Sequence, residues 1–176
     1  VTQLQERVSQ AYESLNLAAT DTLCRHFLLP YFHKWQLQES EIGLHIINRP
    51  SPDCVELVLN KEAQLAVVND YEGLRDNPQL EVTTLATIQD VFVGGPDYKG
   101  AGFFDQGRLL NEPILLLHKG SASRTFFDEV THGACRKPRF ELGSVDVLLD
   151  LVEINMGISM LPNHVVQQRS EERRVG

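Results

Sequence analysis

The residues best placed to do chemistry are hydroxyls. Thr20 and Thr22, Ser51, Ser121 and Ser123, and Ser144 each follow a short apolar run and precede a helical pattern. They therefore stand where the carboxyl end of a strand turns into a helix N-terminus. Such ends present free N–H groups and the positive end of the helix dipole, and ligands of open α/β sheets bind there. The chemistry offered is non-covalent: hydroxyls and amides grip an anionic group, while Arg49 and Arg124 flank two of the junctions and supply full positive charge. Asp21, Asp53 and Asp146 occupy the same first turns and neutralise part of that field, which shifts preference toward polar, hydroxyl-bearing or amine-bearing ligands. Ser and Thr are also preferred as N-caps for helix stability alone, at ~1 kcal/mol each. Capping and binding both stand for any one of these residues; the repetition favours binding for the set.

Covalent and metal chemistry have weaker signals. Cys24 falls in a first helical turn, where the dipole lowers a thiol pKa. The three cysteines, Cys24, Cys54 and Cys135, form no CxxC pair and are odd in number, which fits a reduced, cytosolic compartment. The six histidines are scattered without HExxH or paired ligand spacing, so no metal site is expected. There is no GxSxG elbow, Walker loop or GxGxxG, and Gly94-Gly95-Pro96 reads as a turn; no enzyme is marked.

Charge and composition narrow the class. The 176 residues carry 16 Lys plus Arg against 24 Asp plus Glu, a net charge of −8, which argues against a nucleic-acid surface on this stretch. At 42% hydrophobic and 23% charged the composition is globular. No apolar run reaches the ~18 to 20 residues of a membrane span, and VTQLQERVSQ lacks a signal-peptide core.

The junctions require alternating strands and helices, and the hydropathy pattern supplies them. Leu4, Val8 and Ala11 predict an amphipathic helix over Val1 to Glu13, the end of a longer one. Strand Leu15–Ala19 leads into a helix through Leu23, Phe27, Tyr31 and Trp35, where Pro30 must open the main part or kink it. After strand Leu44–Ile47, Ser51 caps, Pro52 takes the first helical position, Asp53 complements the dipole, and the helix runs to about Asn60. Leu65–Asn69 is continuously apolar, the mark of a strand buried on both faces; Glu81–Ile88 and Val91–Val93 are further strands. The second half repeats the theme with strand Ile114–Leu117, a helix bearing Phe126, Phe127 and Val130, strand Phe140–Leu142, helix Val145–Asn155 and strand Gly157–Leu161 closed by Pro162. Gln167–Gly176 has no apolar periodicity and reads as a frayed tail. The alternation predicts an α/β protein with mostly parallel sheets.

Four segments carry a family resemblance: Leu15–Pro30 (LNLAATDTLCRHFLLP), Leu57–Val68 (LVLNKEAQLAVV), Glu112–Arg124 (EPILLLHKGSASR) and Gly143–Pro162 (GSVDVLLDLVEINMGISMLP). They resemble the effector-binding domain of LysR-type transcriptional regulators. The last, a helix followed by a Gly-Ile-x-x-Leu-Pro strand, is the most specific. The resemblance implies a two-lobed, periplasmic-binding-protein-like (type 2) α/β fold with the ligand in a cleft between lobes. Residues 1–14 would end a linker helix from a winged helix-turn-helix DNA-binding domain absent here, 15–87 would form lobe I, 88–162 lobe II, and 163–176 a return segment and tail. The family's cleft positions hold Thr20, Thr22, Ser51, Asn69 and Ser121 to Arg124 in this chain, largely the junctions already marked; Arg49 and Asp21 lie beside them. Where the family has a Gly-Glu-x-Asp turn before its third strand, this chain has Lys61-Glu62-Ala63-Gln64, so Lys61 must adopt a positive φ. The chain also stops soon after Val166, where family members continue.

The Thr-Asp-Thr-Leu-Cys opening is similar to citrate-responsive regulators, which implies a di- or tricarboxylate effector. The expected protein is thus a cytoplasmic, non-enzymatic sensor without cofactor. Its partners are a small citrate-like carboxylate and further copies of itself as dimer or tetramer. DNA is reached only through the missing domain, and no membrane is involved. Binding would act by population shift. A solute-binding protein of a transporter shares the fold and is the chief alternative; an enzyme on the same fold is a second.

Overall fold

The structure is a computed structural model that describes residues 14–38, 42–99, 105–135 and 137–175; the helix predicted over Val1 to Glu13 lies outside them. β1 (Ser14–Ala19) is the strand around which the first half assembles. It pairs in parallel with β2 (Gly43–Asn48) on one side and β3 (Leu65–Val67) on the other, with Leu17 opposite Ile46 and Leu65. Alternation along β1 sends its side chains to two different cores. Leu17 and Ala19 pack with Leu28, Phe27 and Phe32, while Ala18 packs with Cys54, Ala63, Leu57 and Val58. The doubly buried strand is therefore β1. Among the described residues β3 is an edge strand, with Leu65 38% exposed, a correction to the sequence expectation: its apolar run has β1 alone as a neighbour there.

The first helix is built in pieces: α1 (Asp21–Leu23), a π-helical turn (Cys24–Leu28) and α2 (Leu29–Leu37). Pro30 has no N–H to give and its ring crowds the carbonyl four residues back, so the widened turn ahead of it lets the chain continue. α3 (Ser51–Leu59) ends in a Schellman motif, with Lys61 N–H donating to the Val58 carbonyl (3.0 Å) and Glu62 N–H to that of Leu57 (2.8 Å). Lys61 sits at φ 63°, as the missing glycine implied. Gln64 then fastens the loop to β1 by accepting the Asn16 N–H through Oε1 at 2.8 Å.

The chain divides into two compact units, Val1–Thr83 and Thr84–Gly176. Glu81–Ile88 is not the strand its pattern suggested. Leu85 is 64% exposed, so no buried face fixes a register and no partner strand pairs with it among the described residues.

In the second unit β4 (Asp90–Gly94) runs antiparallel to β7 (Ile158–Pro162), whereas β5 (Leu115–Leu117) and β6 (Phe140–Leu142) are parallel; Ile114 bridges to Ile158. The run Ile114 to Leu117 is buried throughout and feeds two cores. Leu115 and Leu117 meet Val145, Leu148, Leu149 and Val152 of α6 (Val145–Glu153). Ile114 and Leu116 meet Phe127 of α5 (Ala122–Val130) and Leu109 of the short α4 (Gln106–Leu110). Each fully buried Leu contributes about 2 kcal/mol. Gly157 is obligatory, because a Cβ there would lie 2.2 Å from the Pro113 carbonyl oxygen. The supposedly frayed tail is helix α7 (Asn163–Val175). Val165 anchors it in the second unit's core, and Arg169 pairs with Asp150 and Glu153 of α6, contacts that a scan for apolar periodicity does not register.

Lys61 holds a left-handed conformation that costs a side chain roughly 1 kcal/mol and glycine almost nothing. Lys61→Gly is expected to raise stability by about 1 kcal/mol, read as a higher urea midpoint at unchanged slope.

Candidate functional site

In the first unit the carboxyl ends of β1 and β2 lie side by side, because their parallel register places Ala19 opposite Asn48. Thr20 is the extended N-cap of α1 and its Oγ1 accepts the Leu23 N–H at 3.3 Å. Asp21 accepts from Asn48 Nδ2 (3.3 Å), and Asn48 Oδ1 in turn accepts from the Cys24 thiol (3.5 Å). Arg49 is exposed, with Nη1 on the Asn48 carbonyl at 2.7 Å. Asp21, Cys24, Arg25, Asn48 and Arg49 border an open depression of about 620 Å³ whose apolar side is formed by Leu29, Phe32 and Ile46. Thr22 lies half-buried inside α1. The Cys24 thiol is pushed up, not down: burial dominates and the charges of Asp21 and Cys54 add to it, so it remains a protonated donor. The lowered thiol anticipated from the dipole does not occur.

Ser51 departs from its expected role. It is the first residue of α3, no side chain caps that helix, and Ser51 Oγ instead accepts the Asn69 N–H at 3.1 Å. The structure thus brings Ser51 and Asn69 together through a bond that ties α3 to the end of β3.

In the second unit Ser121 caps α5 and accepts the Arg124 N–H at 3.3 Å, and Ser144 caps α6 through the Val147 N–H at 3.4 Å. Ser123 is 6% exposed and donates to Asp90 Oδ1 at 3.1 Å. Burial raises the Asp90 carboxyl pKa, against the opposing pull of the Ser123 hydrogen bond and the His164 charge. Arg124 is not the exposed cation the sequence suggested. It is 5% exposed, with Nε on Asp128 (2.9 Å) and Nη1 on both Glu141 and the Leu117 carbonyl (3.2 Å each). Burial alone would lower its pKa, but those carboxylates outweigh it and raise it, so the guanidinium stays charged. It joins α5 to β5 and β6. Sequence reasoning missed Asn48, Asp90 and Glu141; a lone Asp opening the apolar run of β4 was the available signal for Asp90. Among the described residues no group of three or more His, Cys, Asp or Glu is set to hold a metal, and no helix is long and apolar enough to cross a membrane.

Two α/β units with ligand-competent strand ends define a protein of the type 2 periplasmic-binding-protein-like class. The LysR substrate binding domain model matches residues 9–176, and the chain belongs to that family. It is similar to the effector-binding domain of QuiR in complex with shikimate, at 17% identity over 87% of this chain and 75% of that one, TM-score 0.68. It is also similar to an OxyR mutant from Porphyromonas gingivalis (18% identity, 88% and 71% covered, TM-score 0.73). A third similar structure is HinK, a LysR family transcriptional regulator from Pseudomonas aeruginosa (15% identity, 92% of this chain, TM-score 0.61). The chain spans 57% of HinK, a little over half its length. No curated protein matches in sequence.

Removing the Arg124 guanidinium leaves Asp128 and Glu141 facing each other without a counter-charge. Arg124→Ala is expected to cost about 2 to 3 kcal/mol in urea unfolding, less than for a wholly buried pair because both carboxylates keep more than a third of their surface. For Asp90 the sign is opposite to a salt-bridged carboxylate. A raised folded-state pKa gives stability that is fully present below the unfolded value of about 4 and is lost as pH rises through the folded value. Asp90→Asn, which does not titrate, should gain on the wild type as pH rises above about 4. An unfolding difference independent of pH counts against a desolvated Asp90.

Proposed function

We propose that this chain is the effector-sensing domain of a bacterial LysR-type transcription regulator that takes a small carboxylate, of the citrate-like di- or tricarboxylate class. The family places the domain in transcription regulators; the ligand class comes from the hydroxyls. Thr20, Ser51 and Ser121 each already accept a backbone N–H, so the one proton each hydroxyl owns is left to donate, which is what an anionic oxygen requires. That shared wiring is the observation that carries the proposal. Thr22 and Asn69 lie beside these groups to orient the ligand, and Asp21 accepts from its hydroxyl or amine groups. Arg49 supplies the charge, whereas Arg124 is committed internally. That QuiR is seen with shikimate supports a small organic molecule as the effector type. The bound state favours one arrangement of a dimer or tetramer, which repositions DNA-binding heads carried elsewhere in the full regulator, in the cytoplasm.

A thermal-shift screen of small anions and neutral metabolites tests the class. At a hundredfold excess over Kd a carboxylate should raise Tm by about 5 °C or more, and Arg49→Ala should abolish the rise while leaving the circular dichroism unchanged. The proposal fails if carboxylates, sulfate and phosphate leave Tm unmoved while neutral compounds raise it.

A further inference from the structure

The depression beside Arg49 has a polar end and an apolar end, and all of its lining belongs to the first unit. One wall is helical. Asp21, Arg25, Leu29 and Phe32 follow at steps of four, four and three, a single stripe that runs through the π-helical turn Cys24–Leu28. Such turns are rare and recur at functional sites. The other wall is β2, where Ile46 and Asn48 share a face by alternation, in register with Leu17 and Ala19 of β1. The first helix buries Leu17 and Ala19 but covers the edge strand only in part, so Ile46 stays 43% exposed and Leu29, facing the same depression, 55%.

Charge distinguishes the two ends. Near the carboxyl ends of the strands the lining holds two guanidinium groups, Arg25 and Arg49, against one carboxylate, Asp21. Asp21 accepts from Asn48 Nδ2, and the Cys24 thiol spends its proton on Asn48 Oδ1, so a ligand that covers the thiol strands no donor there. Arg49 gives one N–H to the Asn48 carbonyl out of the five that a guanidinium carries, and among the described residues no carboxylate pairs with it. Exposed positive charge beside an apolar wall, around a volume of about 620 Å³, is the make-up of a small-molecule site, mostly apolar with a few placed polar groups.

We propose that this depression receives an apolar substituent of the effector, which lies against Leu29 and Ile46 while Arg49 holds a neighbouring carboxylate. The ligand class is then acids that carry a hydrocarbon branch or ring. This rests on the carboxylate reading above and narrows it to those citrate-like acids that bear such a group.

Matched acids isolate the substituent. Succinate and phenylsuccinate, or malate and isopropylmalate, keep the same two carboxylates and differ by one apolar group. Any further carboxylate from the thermal-shift screen is paired with its analogue lacking the apolar group. In calorimetric titrations of the whole chain, the substituted member of a pair is expected to bind at least about tenfold tighter. Leu29→Ser and Ile46→Thr should each bring the pair within about threefold by weakening the substituted acid alone, and Leu29→Met, which restores apolar surface, should recover the preference. A merely structural defect would weaken both members alike. Equal binding of both members by the wild type overturns the assignment, as does a preference that survives in the folded double variant. Sedimentation of the same variants checks the other occupant: if they dissociate an oligomer and leave the pairs unchanged, the depression is a contact between copies and the assignment falls. The wild-type pairs decide the matter even where a variant fails to fold. Carboxylates that bind without discrimination refute only the role of the depression; if no carboxylate binds at all, the proposed function falls and this inference with it.

Discussion

Parallel strand pairing is the constraint on which everything else rests. A chain that pairs β1 with β2 and β3 in parallel must cross back after each strand, and it does so through α1 and α2 and then α3. The same holds for β5, α5 and β6. β1, β2 and β5 therefore each deliver their carboxyl end to a helix N-terminus, and the polar residues at those corners face the carboxyl edge of their own sheet. The candidate polar residues scattered from Thr20 to Asn69 in the first unit, and from Ser121 to Ser144 in the second, are placed within each unit by topology rather than by nearness in sequence. β4 is the exception. Its antiparallel pairing with β7 places Asp90 across from Pro162 at the end of the ladder, which brings a carboxylate to the start of α5 that no βαβ step would have put there.

The same logic explains what was legible from the sequence. Strands β1, β2, β5, β6 and β7 and the major helices announced themselves because their signals are local: apolar runs, Ser or Thr before a helix, Gly-Ile before the last strand. The positive φ of Lys61 was legible by another route, the family resemblance, which puts a glycine at that turn. The errors came where a partner distant in sequence decides the outcome. LAVVN reads as a central strand until it is known that, among the described residues, β1 alone pairs with it. Residues 81–88 alternate like a strand, but among the described residues no strand pairs with them. The tail looked polar, yet Val165 and Arg169 find a core and an acidic pair on α6.

Side-chain roles obey the same division. Ser51 has the residue type and position of an N-cap, yet the end of β3 offers it the Asn69 N–H, and the bond it makes is tertiary. Arg124 beside a serine-rich turn suggests anion capture. Whether its charge is available depends on Asp128, one helical turn on, and on Glu141, seventeen residues away on β6. Spacing suggests the first of these pairings, and only the fold discloses the second. A cation already paired to two carboxylates cannot supply another anion with a full charge, however close it stands.

Net charge is consequently a poor guide to what this molecule binds. A surplus of eight negative charges would by itself repel a carboxylate, but screening limits that field to about 8 to 10 Å at ordinary salt. Over so short a range each strand-end corner acts through its own sign and its own hydrogen-bond sense. Thr20, Ser51 and Ser121 present protons, Arg49 stands exposed, and the Asp90–Ser123 pair presents lone pairs. What each corner can hold is therefore set by its own donors and acceptors, a property that the fold creates and composition conceals.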